Sequence, residues 1–426
     1  MSASSLPQGY YAASAEPRPP KPAVNHAIRA DVCVIGAGFT GLTAALHLAE
    51  KGAVVSLVEA ETVGFAASGR NGGQIHTGLR KDQAELERWL GPLHARDLWT
   101  LAEDAKRLIR DLVARHAIAC DLKPGLVIAA HNARAARALA GDTAHLAKVY
   151  GYYAARMIGA DETREALGTP TYTAARFDSG GGHLHPLRFA RGLAGAAEKA
   201  GVAIWENSPA LTIEPTVANL VVRTPEGTIT ADHVLLATDA FSGHLAPELA
   251  PFIGHVESFV TATAPLPPAL AAAILPCDAA VADTRHVLDY YRKSADRRLI
   301  FAGRESYFRP PADIAALVRP RMLHVYPALA SVPTDYAWRG TVGITRTRMP
   351  HFGRLGERVL FAHGYSGQGV ALACLGGQLM ADAVLGKPQR FDTFARVPAA
   401  RFPGGAFLRK PMIAAALLAF KVIDAL

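Results

Sequence analysis

The stretch DVCVIGAGFTGLTAALHLAEKGAVVSLVEA, residues 31 to 60, constrains this chain more than any other. A short apolar run, a glycine turn, a helical stretch of small residues, a Lys-Gly stop and a second apolar run make one βαβ unit. Gly36, Gly38 and Gly41 form the GxGxxG pattern at the strand-to-helix turn, and Glu59 closes the second strand 18 residues after Gly41. The first glycine permits the tight turn, the second lets backbone approach a pyrophosphate, and the third allows close helix packing. The helix N-terminus then meets phosphate charge with free amide donors, and Glu59 can accept hydrogen bonds from a ribose diol. Dinucleotide binding is expected; a glycine turn that serves structure alone is the alternative.

At 426 residues the chain exceeds the roughly 100 to 200 of a single domain, so two or more packed units are expected. Helical spacing between about Asp82 and Arg115, and again over residues 132–149, leaves the nucleotide fold. After a further helix in HPLRFARGLAGAAEKAG, the ribbon LVVRTPEGTIT turns at Pro225 to Gly227, and DHVLLATDAF reads as a buried strand returning to the first sheet. ESFVTATAPL, HVLDYYRKSADRRLIFAGR and YAWRGTVGITRTR read as strands of an antiparallel sheet with a hairpin near Ser294 to Asp296. ERVLFAHGYSGQGVALACLGGQLMADAVLG is again strand, glycine turn and helix. The fold class expected is α/β plus α+β: a doubly wound, Rossmann-like nucleotide-binding domain with a second, antiparallel-sheet substrate domain. The first would be discontinuous, from 29–80, 150–245 and 346–395. A helical insertion at 81–149 and the segment 246–345 would make the second, between an N-terminal extension at 1–28 and a C-terminal tail at 396–426.

The net charge of +8 comes without any dense arginine or lysine block, which predicts a diffusely basic surface and no nucleic-acid partner. Cys33, Cys120, Cys277 and Cys374 form no CxxC pair or Cys/His ligand spacing, so neither a metal site nor a disulfide framework is expected, and a reducing cytoplasm fits best. The N-terminus lacks a signal-peptide pattern. The apolar run from Met412 to Phe420 is far short of the ~20 residues that span a bilayer, so docking onto the protein is expected rather than stable membrane insertion.

NAD and FAD share the GxGxxG fingerprint. Two further glycine-rich surfaces, ASGRNGGQ at 67–74 and HGYSGQGVAL at 363–372, favour a flavin held along its length by several backbone approaches. Gly367 and Gly369 open a helix whose positive end suits the charge that develops at the flavin N1 and C2 carbonyl on reduction.

Together with GFAASGRNGGQ, SGGGHLHPLRFA, HVLDYYRKSADRRLIFAGR, TRTRMPHFGRL and HGYSGQGVA, the fingerprint resembles the D-amino-acid oxidase and sarcosine oxidase superfamily of FAD-dependent oxidoreductases. The motifs are most similar to its gamma-glutamylputrescine oxidase group, from GYYAASA near residue 9 to RFPGGAFLRKP near 411. The resemblance implies FAD-dependent oxidation of an amine at the carbon beside nitrogen, with imine hydrolysis to an aldehyde and ammonia and with O2 as acceptor. It places gamma-glutamylputrescine as substrate, within putrescine catabolism. Matched motif to motif, Gly36, Gly38, Thr40 and Gly41 would hold the pyrophosphate and Glu59, with Ala60, the adenosine ribose. Ser68, Arg70, Asn71, Gly72, Gly73 and Gln74 would line the phosphates and isoalloxazine edge. Ala210 would meet adenine, Thr238 also belongs to the FAD set, and Tyr365, Ser366, Gly367, Gln368, Gly369 and Val370 would close the pyrimidine side.

Departures from the wider superfamily shape the expectation. The strand GTVGITRTRM lacks the cysteine that binds flavin in monomeric sarcosine oxidase-like proteins, so noncovalent FAD is expected. An oxygen-activating lysine of those enzymes falls at about Ile300, and a carboxylate-binding lysine at about Ala371. A dehydrogenase passing electrons to a quinone or carrier therefore stays open; the positive net charge alone keeps open a noncatalytic flavin-bearing binding protein. His76 lies just beyond the flavin loop, where some dimethylglycine dehydrogenase-like relatives carry a histidine bonded to FAD; a pocket-lining, catalytic His76 is expected instead, with an ordinary packed histidine as the alternative. His183 and His185 are expected to cap or pack at a helix entry. Neighbouring Tyr290 and Tyr291 must point to opposite faces of a strand, so only one can enter the pocket; Tyr291 is taken as the catalytic one and Tyr290 as substrate-binding. Arg346 and Arg348 share a strand face and could pair with a substrate carboxylate, or be solvated surface residues.

Overall fold

The computed structural model describes residues 9–306 and 311–403. The apolar stretch 412–420 and most of the expected tail lie outside the described residues. Among the described residues, no helix is long and apolar enough to cross a membrane.

Strand Ala27–Ile35 lies at the middle of one sheet, paired in parallel with Val55–Val58 on one side and Thr228–Leu236 on the other. Ala203–Trp205 extends it beyond 55–58, and Val359–His363 beyond 228–236, both in parallel. His351–Leu355 closes the edge antiparallel to 359–363. The two central strands end in buried apolar runs, Val32 to Ile35 and Val234 to Leu236, because both faces are covered there. Helices Phe39–Ala49, Pro186–Lys199 and Gly369–Val384 pack on one face through Leu42, Leu46, Phe189, Leu193 and Leu375. The strand Leu220–Arg223 pairs antiparallel with the start of 228–236, turning where the sequence places it, and its Leu220 and Val222 join the core on the other face. Crossovers leave the 27–35 strand in both directions, so its carboxyl end, with that of 228–236, forms a switch-point crevice.

The second sheet runs in the order Thr334–Thr345, Ile253–Thr263, Leu299–Ser306, Tyr290–Lys293, Ala280–Asp283, Lys123–Ala130, Ala174–His183 and Gln74–Ile75, with Ala155–Ile158 also paired to 174–183. It is antiparallel except where 280–283 meets 123–130. The strands at 123–130, 155–158, 174–183 and 74–75 therefore correct the expected boundaries. Part of 150–245 and of 29–80 belongs to the second sheet, and the stretch 81–149, read as helical, contains a strand between helices Pro92–Arg115 and Ala133–Tyr150. The strand 174–183 was hard to read because Gly180, Gly181 and Gly182 interrupt its apolar alternation. A Cβ there would lie 2.1 Å from the Tyr152 hydroxyl, 2.7 Å from Leu126 and 2.6 Å from the Lys123 carbonyl, so close packing removes the side chains that mark a strand.

The N-terminal extension is partly core. Helix Tyr10–Ser14 buries Tyr10 and Tyr11 against Leu187, Val260, Ile300 and Trp338, and the Tyr10 hydroxyl donates to Asp296 at 2.6 Å.

Candidate active site

One cavity of about 670 Å³ lies between the crevice of the first sheet and one face of the second, within the range of small-molecule sites. Strand alternation decides which residues reach it. Leu126 and Ile128, Arg176 and Asp178, and Val256, Ser258 and Val260 turn to the cavity. Their sequence neighbours Val127, Ala129, Ala175 and Phe259 turn to a core under helix Ile314–Val325.

At the first sheet, Gly36 has φ +106°, and a Cβ on Gly41 would stand 1.9 Å from the Gly36 carbonyl oxygen. The helix can start this close to the strand only without that atom. The Ser68 hydroxyl accepts from the Phe39 amide at 3.0 Å, joining the 67–74 loop to the helix N-terminus. Glu59 accepts from the Ala37 amide at 2.7 Å and the Glu61 amide at 3.1 Å, and burial raises its pKa against those bonds. Gly38, Thr40, Ser68, Arg70, Asn71, Gly72 and Gln74 line the cavity, whereas Gly36, Gly41, Glu59, Ala60, Gly73, Ala210 and Thr238 do not. The Thr238 hydroxyl bonds to Ser242, and the Ala210 carbonyl is 3.3 Å from His244 Nε2.

The 67–74 loop is braced from within and behind. The Asn71 amide nitrogen donates to the Ala67 and Ser68 carbonyls, and its oxygen accepts from the Gly73 amide at 2.7 Å. Arg292, buried, donates to the Gly72 carbonyl at 2.8 Å and to the Tyr11 hydroxyl at 3.2 Å. The Trp338 indole donates to the Arg70 carbonyl at 3.0 Å. The Arg70 guanidinium lies over the Phe65 ring, and its Nη2 is buried with no hydrogen-bond partner. An orphaned cationic donor at a cavity wall costs free energy until an anion meets it. That fits a phosphate-bearing dinucleotide, as does the second helix N-terminus, where Gly367, Gln368, Gly369 and Val370 line the cavity. Replacing Arg70 with Met should lower FAD affinity by about tenfold, ~1.4 kcal/mol, while amine preference in reconstituted enzyme stays unchanged; dialysis against free-flavin standards measures the first.

The Tyr365 and Thr40 hydroxyl oxygens are hydrogen-bonded at 2.8 Å, and a Cβ on Gly377 would sit 2.1 Å from the Thr40 carbonyl oxygen, so helices 39–49 and 369–384 are in direct backbone contact. Asp239, which the sequence reading passed over, follows strand 228–236 with φ +43° and accepts from the Gly364 amide at 2.7 Å and the Gly343 amide at 3.2 Å. It ties both sheets to the 364–370 turn. Its signal was its place at the switch-point end of a buried strand.

Several expected roles change. Tyr290 lines the cavity, its hydroxyl 3.0 Å from that of Ser258, and its ring fills the space a Cβ on Gly72 would need. Tyr291 instead stacks on Phe301 and meets Tyr326 edge-on in the core, so the catalytic expectation for Tyr291 is corrected. The strand ends at Thr345, and Arg348 turns with φ +63° into the cavity wall. Arg346, no longer on its face, is exposed and donates to the Arg401 carbonyl at 3.4 Å. Ile300 and Ala371 are buried and do not line the cavity.

His76 lines the cavity with Nε2 3.2 Å from Gln74 Oε1. Desolvation, then Arg80 and Arg176, push its pKa down to about 4 against Asp178, so it is neutral near pH 7. His185 caps helix 186–199, its Nδ1 accepting from the Arg188 amide, and His183 Nε2 meets the Asp278 carbonyl at 3.1 Å. Burial lowers the pKa of His183 to about 4 and of His185 and His363 to about 3. These three bind protons less readily folded than unfolded, so stability is full above the unfolded pKa near 6.5. It should fall by a few kcal/mol as pH drops from ~6.5 toward ~4 and level off below the folded values. Urea midpoints at pH 7.5, 6 and 5 that did not decrease would contradict this.

The comparisons with known proteins agree with this architecture. The FAD dependent oxidoreductase (DAO) family model matches residues 31–383. Gamma-glutamylputrescine oxidoreductase of Escherichia coli is 38% identical over 419 residues, 98% of each chain. A probable oxidoreductase OrdL of Rhizobium meliloti is 38% identical over 97% of each chain. The crystal structure of glycine oxidase from Geobacillus kaustophilus shares the fold, with a TM-score of 0.75 at 22% identity over 88% of this chain and 100% of that one. The chain thus belongs to the family of FAD-dependent oxidoreductases, and FAD is the cofactor of this enzyme.

Proposed function

We propose that the enzyme oxidises a primary amine at the carbon beside nitrogen, with gamma-glutamylputrescine as substrate. The overall reaction is R–CH2–NH2 + O2 + H2O giving R–CHO, NH3 and H2O2. The observation that carries this reading is the 38% identity, over 98% of each chain, to a protein named for that substrate. When bound, FAD supplies a two-electron acceptor for the hydride.

The chain's own residues would bind and orient. Gly36, Gly38, Thr40 and Gly41 would hold the pyrophosphate, Glu59 and Ala60 the ribose, and Ala210 and Thr238 the adenine side. Arg70 would offset phosphate charge, and the turn from Tyr365 to Val370 would close the pyrimidine side. FAD would be held noncovalently; acid precipitation that leaves the yellow colour in the supernatant tests this. Neutral His76 can accept a hydrogen bond from an incoming amine and would not repel its charge. Tyr290 would form one wall of the amine site, and with Arg348, rather than Arg346, complete the flavin-side surface. The cytoplasm is the compartment this reading implies.

A second reading keeps the half-reaction and passes electrons to a quinone or carrier. It is favoured by Ile300, an apolar residue where relatives use an oxygen-activating lysine. Oxygen uptake with one H2O2 and one aldehyde per amine consumed supports the oxidase; amine-dependent reduction of a soluble quinone, without peroxide, supports the second reading.

A further inference from the structure

The cavity extends well beyond its flavin-side wall. Its far end lies under helix 133–150, and Leu79, Leu126, Ile128 and Leu139 line the passage between. Charged side chains of both signs then converge. Arg176 Nη1 pairs with Asp142 Oδ2 at 2.5 Å, their side chains only 14% and 15% exposed. Arg176 Nε is buried and has no partner. Asp82, on the same wall, stands at the N-cap of helix Gln83–Leu90 yet makes no side-chain cap bond there, although an aspartate at that position ordinarily does. Burial and neighbouring Asp142 hold its carboxyl above the ordinary carboxylate range, against the pull of Arg176 and of Arg80, which also lines the cavity. Asp82 is exposed where it opens into the cavity.

This charge set is incomplete in both directions. An orphaned guanidinium donor calls for a carboxylate. An aspartate that opens into a cavity beside a second one calls for a cation. One group supplies both charges a bond apart: the zwitterionic end of an α-amino acid. The apolar passage suits a methylene chain between that end and the flavin side.

We propose that Arg176 and Asp82 form a head-group site for an α-amino acid, Arg176 taking its carboxylate and Asp82 its ammonium, in an amine whose reacting carbon lies at the other end of the cavity. The proposal rests on the function proposed above and names the specificity-determining residues for it. It moves the carboxylate partner from Arg346 and Arg348, as the sequence suggests, to the insertion side of the second sheet. Free putrescine would leave both partners unmet.

The test uses dead-end ligands that lack the terminal amine: L-γ-glutamyl-n-butylamide, the glutaryl analogue without the ammonium, and the α-carboxamide analogue, which keeps the ammonium but not the carboxylate charge. Each is titrated into the FAD-loaded enzyme and read by the visible flavin band. The complete head group should bind at least about tenfold more tightly than either truncated one, ~1.4 kcal/mol. Asp82→Asn should weaken the complete ligand to the level of the glutaryl analogue and leave the glutaryl analogue unchanged. Arg176→Met should do the same with respect to the α-carboxamide analogue; if it fails to fold, Asp82→Asn and the three ligands decide. Equal binding of all three by the unaltered enzyme, absence of saturable binding by the complete head group, or an equal loss for all three in Asp82→Asn would overturn the site. Anaerobic mixing with gamma-glutamylputrescine separates the two claims. Head-group discrimination without flavin reduction keeps the site and sinks the reaction, while reduction without discrimination does the reverse.

Discussion

Gly41→Ala should yield protein that folds poorly and retains little flavin, with FAD affinity down more than about tenfold and stability down by roughly 1–3 kcal/mol or more. The added methyl would stand 1.9 Å from the Gly36 carbonyl oxygen, which is backbone and cannot rotate away, and 3.2 Å from a Val34 methyl. Relief requires the helix to move off the strand, and the Phe39 amide would then leave the Ser68 hydroxyl. Gly195→Ala is the control, because nothing lies within 4 Å of its added carbon; in a helix interior it should be neutral or stabilising by up to ~1 kcal/mol. Flavin-to-protein absorbance ratios and melting temperatures measure both. Similar behaviour of the two variants would contradict the close-packed turn.

The second large effect separates adjacent tyrosines. Tyr291→Ala should cost about 3–5 kcal/mol, as for other large aromatic side chains removed from a core, since Tyr291 is 1% exposed and stacks on Phe301 at 5.3 Å between ring centres. Tyr290→Phe removes one hydroxyl, bonded to Ser258, and should cost only about 1 kcal/mol while changing KM for the amine. Urea denaturation and steady-state kinetics read the two quantities independently. If Tyr291→Ala were no less stable than Tyr290→Phe, the assignment of strand faces would be wrong.

These residues also mark how far the sequence could be read. The βαβ unit was legible because GxGxxG, its flanking apolar runs and Glu59 are all local. The ribbon turn at 225–227 and the hairpin at 294–296 were legible for the same reason. Alternation showed that Tyr290 and Tyr291 must diverge but could not say which faces the cavity, because both faces of the second sheet are covered: one by helix 314–325, the other by the cavity. The shared face expected of Arg346 and Arg348 does not hold, because the strand stops at Thr345 and a left-handed Arg348 breaks its period. Tyr10 and Tyr11 lay in a stretch read as an extension, and only distant partners, Asp296 and Trp338, make it core. The charged end of the cavity joins Asp82, Asp142 and Arg176 from a loop, a helix and a strand far apart in the chain, so no motif could have shown it.

Anaerobic mixing of the FAD-loaded enzyme with gamma-glutamylputrescine, putrescine, sarcosine and D-alanine tests the central claim most directly. The account predicts that gamma-glutamylputrescine bleaches the flavin fully and fastest, putrescine much more slowly, and the two amino acids hardly at all. Bleaching by sarcosine or D-alanine alone would contradict it.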